Sequence, residues 1–149
     1  GAEFRGGFYG LAGWHGEGHM IRALFEGVCF EHRRHIEVLR NAGLSVDRAV
    51  MSGGGSRSPH WPQMMADVLE IPLTVAEARE TGALGAAIGA TVAIGLYASY
   101  EEAVAAMTRS ARDFRPNVEL TEHFRRRYEI YGTLTDQMRA FWNALRLKP

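Results

Sequence analysis

Three consecutive glycines at positions 53–55 are the residues whose type and spacing point most directly to chemistry. They follow a short apolar run ending at Met51 and precede Ser58 and Pro59, a pair typical of a helix start. Glycines leave backbone N–H groups unobstructed and tolerate positive φ, and a helix N-terminus favours negative charge. The pattern predicts a strand-to-helix turn that binds nucleotide phosphate. The alternative is a tight turn with a structural role only.

Two common phosphate-binding motifs do not match this segment. A P-loop needs a lysine after its last glycine, and no lysine lies near position 55. A Rossmann G-x-G-x-x-G motif starting at Gly53 would place Ser58 where the third glycine is needed, with Glu77 as a candidate ribose-binding acid. A dinucleotide-binding oxidoreductase therefore stays an alternative hypothesis.

Histidine and cysteine offer two further candidates. His15 and His19 lie four residues apart, and His32 and His35 lie three apart, spacings that place a pair on one helical face. The sequence has no HEXXH motif or other complete ligand set, so we predict no metal site. Cys29 falls within an apolar helical pattern, which predicts a buried structural thiol.

The composition is that of an ordinary globular domain. Among 149 residues, 46% are hydrophobic, and seventeen basic side chains balance seventeen acidic ones. This balance gives no bulk attraction to nucleic acid or to an anionic membrane, so neither is expected as a partner. The single cysteine excludes an internal disulfide, and no signal segment is recognisable, so we expect a cytoplasmic location. The arginines at 125–127 are interpreted as a solvated helix face.

A charge-free segment at 81–98 tests this interpretation, because its length approaches that of a membrane span. More than half of the segment is Ala and Gly, and it runs into Glu101 and Glu102 instead of basic residues. We therefore predict a buried helix whose small residues allow close packing, and no membrane association.

The elements around the glycines alternate between strand and helix. Apolar spacing predicts a long helix at 17–41, a strand at 47–51, a helix from Ser58 to about Glu70 and a strand at 73–75. A short helix follows Ser99, 114–117 is a turn, and a final helix carries one apolar stripe. The order indicates one α/β domain with parallel strands joined by crossover helices.

Three blocks of this sequence resemble the FGGY family of carbohydrate kinases. GGFYGL at 6–11, with His19 and Met20 after it, is similar to the family's C-terminal signature. The segment VMSGGGSRSPHWPQMMADVLEIPL at 50–73 resembles the family's adenosine motif with its following helix and strand. ETGALGAAIGA at 80–90 and FRP at 114–116 lie at the expected places.

The resemblance implies a partial actin-like ATPase (ribonuclease H-like) domain of the α/β class, with crossover helices on a mixed or parallel sheet. Residues 1–149 would form an incomplete C-terminal nucleotide-binding domain. The implied activity is transfer of the γ-phosphate of ATP, with Mg²⁺, to a hydroxyl of a sugar or polyol, a pentulose being favoured. A non-catalytic nucleotide-binding or assembly module is the alternative.

The resemblance also assigns roles by position. Gly53 and Gly54 would approach the nucleotide phosphates through their backbone, and Ser58 would contact the adenosine moiety. Gly55 and Ser56 are adjacent candidates, and the glycine-rich helix at 82–95 would pack behind the turn.

The family's catalytic aspartate and its phosphate-binding Thr hairpin would both lie upstream of residue 1, as would the sugar-binding domain. We therefore assign no catalytic residue and expect the chain alone to be inactive. The expected partners are ATP or ADP, the sugar through the preceding domain, and a second copy of the chain, because a domain without its first strands exposes apolar surface.

Overall fold

The computed structural model describes residues 6–78 and 80–145. In chain order the elements are α1 (Glu17–Asn41), β1 (Ala49–Met51), a 3₁₀ helix (Gly54–Arg57), α2 (Trp61–Leu69), β2 (Leu73–Ala76), α3 (Thr81–Ala93), α4 (Tyr100–Met107), β3 (Ser110–Phe114) and α5 (Val118–Ala144).

The described strands form a mixed sheet in the order β1–β2–β3. β1 and β2 are parallel, with Ala49 opposite Leu73, and α2 is the crossover helix between them. β3 runs antiparallel to β2 and pairs with it irregularly near Val75. The predicted α/β class with a mixed or parallel sheet is confirmed. β3 itself was not predicted, because four of its five residues are exposed and show no apolar alternation.

The core lies between the sheet and the helices α1, α2 and α5. α2 is buried along most of its length, and its side chains meet those of the strands and of the two long helices. Buried members from each of these elements are Phe30, Met65, Val68, Leu73 and Phe124. The two strands that flank α2 in sequence are therefore held at fixed positions beneath it.

Two helix predictions turn out differently. α1 has the predicted bounds and is followed by Gly43 with φ of +84°. α2 begins at Trp61 and not at Ser58, because the residues after Gly53 form a separate 3₁₀ helix for which Ser58 is the C-cap. Pro62 is the second residue of α2, so a proline still stands in the first turn of the helix, although it is not Pro59.

The glycine-rich helix α3 is not buried. Within its described length only Ile88 is buried, and α3 packs mainly on α4. A Cβ built on Gly82, Gly85 or Gly89 would have no atom within 4 Å, so these glycines accommodate no close neighbour in the described ranges. The prediction of a buried helix packed behind the glycine turn is therefore wrong for this structure.

The arginines at 125–127 are not simply a solvated face. Arg125 forms a bidentate pair with Glu70, at the end of α2. Arg127 pairs with the buried Glu26 of α1 at 2.8 Å between Nη2 and Oε2. These two ion pairs attach α5 to the other core helices.

Among the described residues, no helix combines the length and the apolar character that crossing a bilayer requires.

Candidate functional site

The glycine turn leaves the sheet at the end of β1 and enters the 3₁₀ helix. Gly53 has φ of +81° and ψ of −163°, a backbone conformation that side-chain-bearing residues rarely adopt. The backbone conformation at position 53 therefore requires glycine, and Gly53 turns the chain away from the strand direction.

Close packing requires glycine at position 55. A Cβ at this position would stand 2.7 Å from Cζ3 of Trp61 and 3.1 Å from Cε of Met51. Trp61 is the first residue of α2 and Met51 the last of β1. The absence of a side chain at Gly55 thus lets the turn sit directly on the start of α2.

Neither backbone conformation nor packing requires glycine at position 54. Its φ lies outside the left-handed region, and a Cβ on Gly54 would meet nothing within 4 Å. The N–H groups of Gly54 and Gly55 donate to no acceptor in the described ranges. At Gly54 the turn therefore presents bare backbone and unused donors to open space.

Ser56 fixes the turn from inside. Its hydroxyl donates to the Gly53 carbonyl at 2.7 Å and its N–H donates to the same oxygen at 3.2 Å, and the residue is buried. The guanidinium of Arg112, on β3, donates to the Ser56 carbonyl. Ser56 thus stabilises the turn and has no hydroxyl proton free for a ligand. Sequence reasoning did not identify Arg112, because its strand has no apolar signature.

Ser58 lies at the other end of the turn. Its hydroxyl oxygen accepts the N–H groups of His60 at 3.3 Å and Trp61 at 3.1 Å. A serine hydroxyl has one donor and two acceptor positions, so both acceptor positions are occupied. The O–H proton has no acceptor among the residues that the structure describes, and it can donate to a bound molecule.

A cleft of about 150 Å³ lies beside the turn. Its walls come from the turn, from the residues that follow β2 and from β3. Three charged side chains line it, Arg57, Glu77 and Arg112. Of the four predicted residues, Gly53 lines this cleft beside two guanidinium groups suited to an anion, whereas Gly54, Gly55 and Ser58 do not line it.

A larger depression of about 420 Å³ contains none of the four predicted residues. Two of its polar side chains are already paired within the protein. Gln63 Nε2 donates to the Arg115 carbonyl at 2.8 Å, and Asp67 Oδ1 accepts the N–H of Asn117 at 2.8 Å. We therefore regard the smaller cleft as the candidate site, because it adjoins the glycine turn and because the side chains of Arg57 and Glu77 on its wall have no partner among the described residues.

Cys29 lies in the core close to Trp61. It is fully buried, and burial raises the pKa of its thiol to about 11, an effect that outweighs the opposing influence of the Trp61 indole. The indole N–H is itself buried without a hydrogen bond of normal geometry in the described part of the chain. The prediction of a structural thiol is confirmed.

Residues 6–78 and 80–145 hold no group of three or more His, Cys, Asp or Glu side chains arranged to bind a metal ion.

The fold and the glycine turn agree with comparisons to known proteins. Residues 2–94 match the C-terminal domain of the FGGY family of carbohydrate kinases. The chain belongs to this family, whose members share the actin-like ATPase fold.

Three relatives illustrate the match. The chain is 31% identical over 141 residues to the L-xylulose/3-keto-L-gulonate kinase of Escherichia coli, which is 95% of this chain and 28% of that protein. It is 32% identical over 133 residues to the xylulose kinase of Bacillus subtilis, covering 89% of this chain and 27% of the relative. The crystal structure of xylulose kinase from Rhodospirillum rubrum superposes with a TM-score of 0.82 at 32% identity, over 92% of this chain and 28% of that one. The chain therefore spans little more than a quarter of the length of these relatives.

Proposed function

We propose that this chain is the nucleotide-binding part of a kinase that transfers the γ-phosphate of ATP to a hydroxyl of a sugar or polyol. The proposal rests above all on Gly54. Glycine loses more conformational freedom on folding than alanine does, so a glycine that the local structure does not require carries an entropic cost. Neither φ nor packing requires glycine at this position. With φ and packing excluded, the close approach of a ligand to the backbone can explain why position 54 is glycine.

The surroundings of Gly54 suit a phosphate. Unused N–H groups at Gly54 and Gly55 are donors that an anionic oxygen can accept from. In our proposal Gly53 and Gly54 contact the nucleotide phosphates through their backbone, with Gly55 beside them. Ser58 directs its free O–H proton to the adenosine moiety.

The nucleotide would supply the phosphoryl group and bring Mg²⁺ with it. Phosphoryl transfer depends on positioning a nucleophile, a metal ion and the phosphate together. We propose that the sugar and the catalytic base are bound by a part of the protein that precedes this chain, so that residues 1–149 form one incomplete domain and are inactive alone. Because the relatives include xylulose kinases, we propose a pentulose as the sugar. We also propose a cytoplasmic location.

Calorimetric titration of the complete protein with a non-hydrolysable ATP analogue tests the phosphate role. Gly54→Asp adds a carboxylate where phosphate is proposed to bind, and repulsion should weaken the affinity at least about tenfold. Gly18→Asp is the matched control, because Gly18 is also an exposed helical glycine with open space around it. Equal affinity of the Gly54→Asp variant and the wild type would refute the proposal.

The alternatives predict different outcomes. A complete protein that binds ATP analogues but phosphorylates no pentulose, hexulose or polyol would indicate a non-catalytic nucleotide-binding module. Thermal stabilisation by NAD and not by ATP would indicate a dinucleotide-binding oxidoreductase.

Large apolar side chains are exposed on several elements. Trp14 before α1, Val50 on the edge strand β1 and Ile94 after α3 are 72%, 70% and 78% exposed. Such surfaces and an open strand edge favour association. We propose that the isolated chain forms homo-oligomers. A monodisperse monomer in sedimentation velocity experiments at micromolar concentration would contradict this.

A further inference from the structure

We propose that Arg112 is a positioning residue that holds the glycine turn in its ligand-binding geometry, an inference that rests on the proposed function. Arg112 lies on β3, opposite Val75 of β2. Its guanidinium extends past β2 to donate to the Ser56 carbonyl, in the turn that follows β1. The same group lies 5.5 Å from the centre of the Phe114 ring, a cation–π contact that restricts its orientation.

The strand that carries Arg112 is itself firmly held. Thr74 Oγ1 donates to Asp113 Oδ1 at 2.7 Å, which links β2 to β3 beside Arg112. Beyond the end of β3, the buried Asp67 accepts the N–H of Asn117 at 2.8 Å. Arg112 therefore acts from a fixed base, from which its guanidinium can hold the Ser56 carbonyl in place.

The hydrogen bond to Ser56 sets the orientation of a whole peptide unit. In a planar trans peptide the C=O and the next N–H point in opposite directions, so turning the Ser56 carbonyl towards Arg112 turns the N–H of Arg57 away from it. The other hydrogen bonds described for the turn are local, such as those from the Ser56 hydroxyl and N–H to the Gly53 carbonyl. Without Arg112, the turn would keep its local hydrogen bonds but lose its link to β3.

Steady-state kinetics of the complete kinase provide the test. We expect Arg112→Met to raise the KM for ATP about tenfold, since a charged donor to a carbonyl is lost. The KM for the sugar should stay at its wild-type value, and Arg112→Lys should restore most of the nucleotide affinity, because lysine can also donate. Arg115→Met is the control, because that exposed side chain makes no hydrogen bond or ion pair within the described ranges.

Binding of ADP and of adenosine then separates positioning from direct contact. A positioning role predicts weaker binding of both ligands to the Arg112→Met variant, because both use the turn. Weaker binding of ADP alone would mean that the guanidinium contacts phosphate directly, and it would overturn the inference. A parallel loss of sugar affinity and thermal stability would overturn it as well, in favour of a general structural role.

The Gly54→Asp variant separates this inference from the proposed function. If Gly54→Asp weakens nucleotide binding while Arg112→Met does not, the inference about Arg112 fails and the proposed site stands. If neither variant weakens binding, the proposed site fails.

Discussion

The indole ring of Trp61 fills the space that a side chain on Gly55 would need, with 2.7 Å between Cζ3 and the position of a Cβ. Trp61 is therefore the floor of the glycine turn. The contact joins the turn after β1 to the first residue of α2, so the shape of the turn depends on how this one ring packs.

Gly55→Ala is expected to destabilise the protein by about 1–3 kcal/mol, the usual range for overpacking a well-filled site. Trp61→Phe removes part of the ring, so the same Gly55→Ala change should be less costly in that background. A double-mutant cycle measured by urea unfolding checks this coupling. Equal free-energy changes in the two backgrounds would show that the contact does not limit residue size.

Gly54→Ala should separate stability from binding. Alanine is favoured over glycine in a helix, and a Cβ here has open space, so the free energy of unfolding should stay unchanged or rise by up to about 1 kcal/mol. Nucleotide affinity should fall, because the methyl group occupies the proposed path of the phosphate. Thermal unfolding and calorimetric titration of the same preparation measure both quantities. Reduced stability with unchanged affinity would contradict the prediction.

Glu70 should make stability depend on pH in the acid range. The hydrogen bond from Arg125, followed by the charge of Arg33, lowers the pKa of this carboxyl below its ordinary value of 4.5. A carboxyl whose pKa is lowered in the folded state stabilises the protein at pH values above its unfolded-state pKa. This stabilisation is lost as the pH falls through the folded-state pKa.

The matching experiment compares wild type with Glu70→Gln. The stability difference should be constant near neutral pH and shrink progressively below about pH 4.5, as protonation of the carboxylate removes its charge. Urea unfolding at several pH values between 7 and 3 gives this profile. A difference that is the same at all these pH values would show that the pairs with Arg125 and Arg33 contribute no net stability.

Cys29 should be inert in the native protein. Burial excludes reagents, and raising the pKa of its thiol from 9.0 to about 11 leaves roughly a hundredfold less thiolate at pH 8. Alkylation by iodoacetamide should therefore be at least about a hundredfold slower than in urea, with the modified peptide identified by mass spectrometry. Rapid labelling under native conditions would mean that α1 opens locally.

Much of the fold could be predicted from local pattern. The bounds of α1 follow from sustained helical periodicity and from the stop that Gly43 provides. The start of α2 could not be placed, because Pro59 and Pro62 are equally good first-turn residues, and the choice depends on the 3₁₀ helix before them. β3 could not be predicted, because its sequence lacks strand character and it is stabilised by its pairing with β2.

The candidate site shows the same division. The glycines could be recognised because each is a local feature of the chain. The sequence could not show why glycine is needed at positions 53 and 55. At Gly53 the cause is a backbone angle, and at Gly55 it is contact with Trp61. Arg112 is fifty-six residues from Ser56, and Arg125 is fifty-five from Glu70. Partners so distant in sequence leave no periodic pattern, and such contacts become visible only in three dimensions.

The glycine turn is anchored from within by the Ser56 hydroxyl and from across the sheet by Arg112. A loop fixed in this way has already lost most of its conformational freedom before any ligand arrives. A molecule that binds it therefore spends little of its interaction energy on ordering the protein. Its affinity is then governed mainly by the contacts it makes, and association requires no prior rearrangement of the loop.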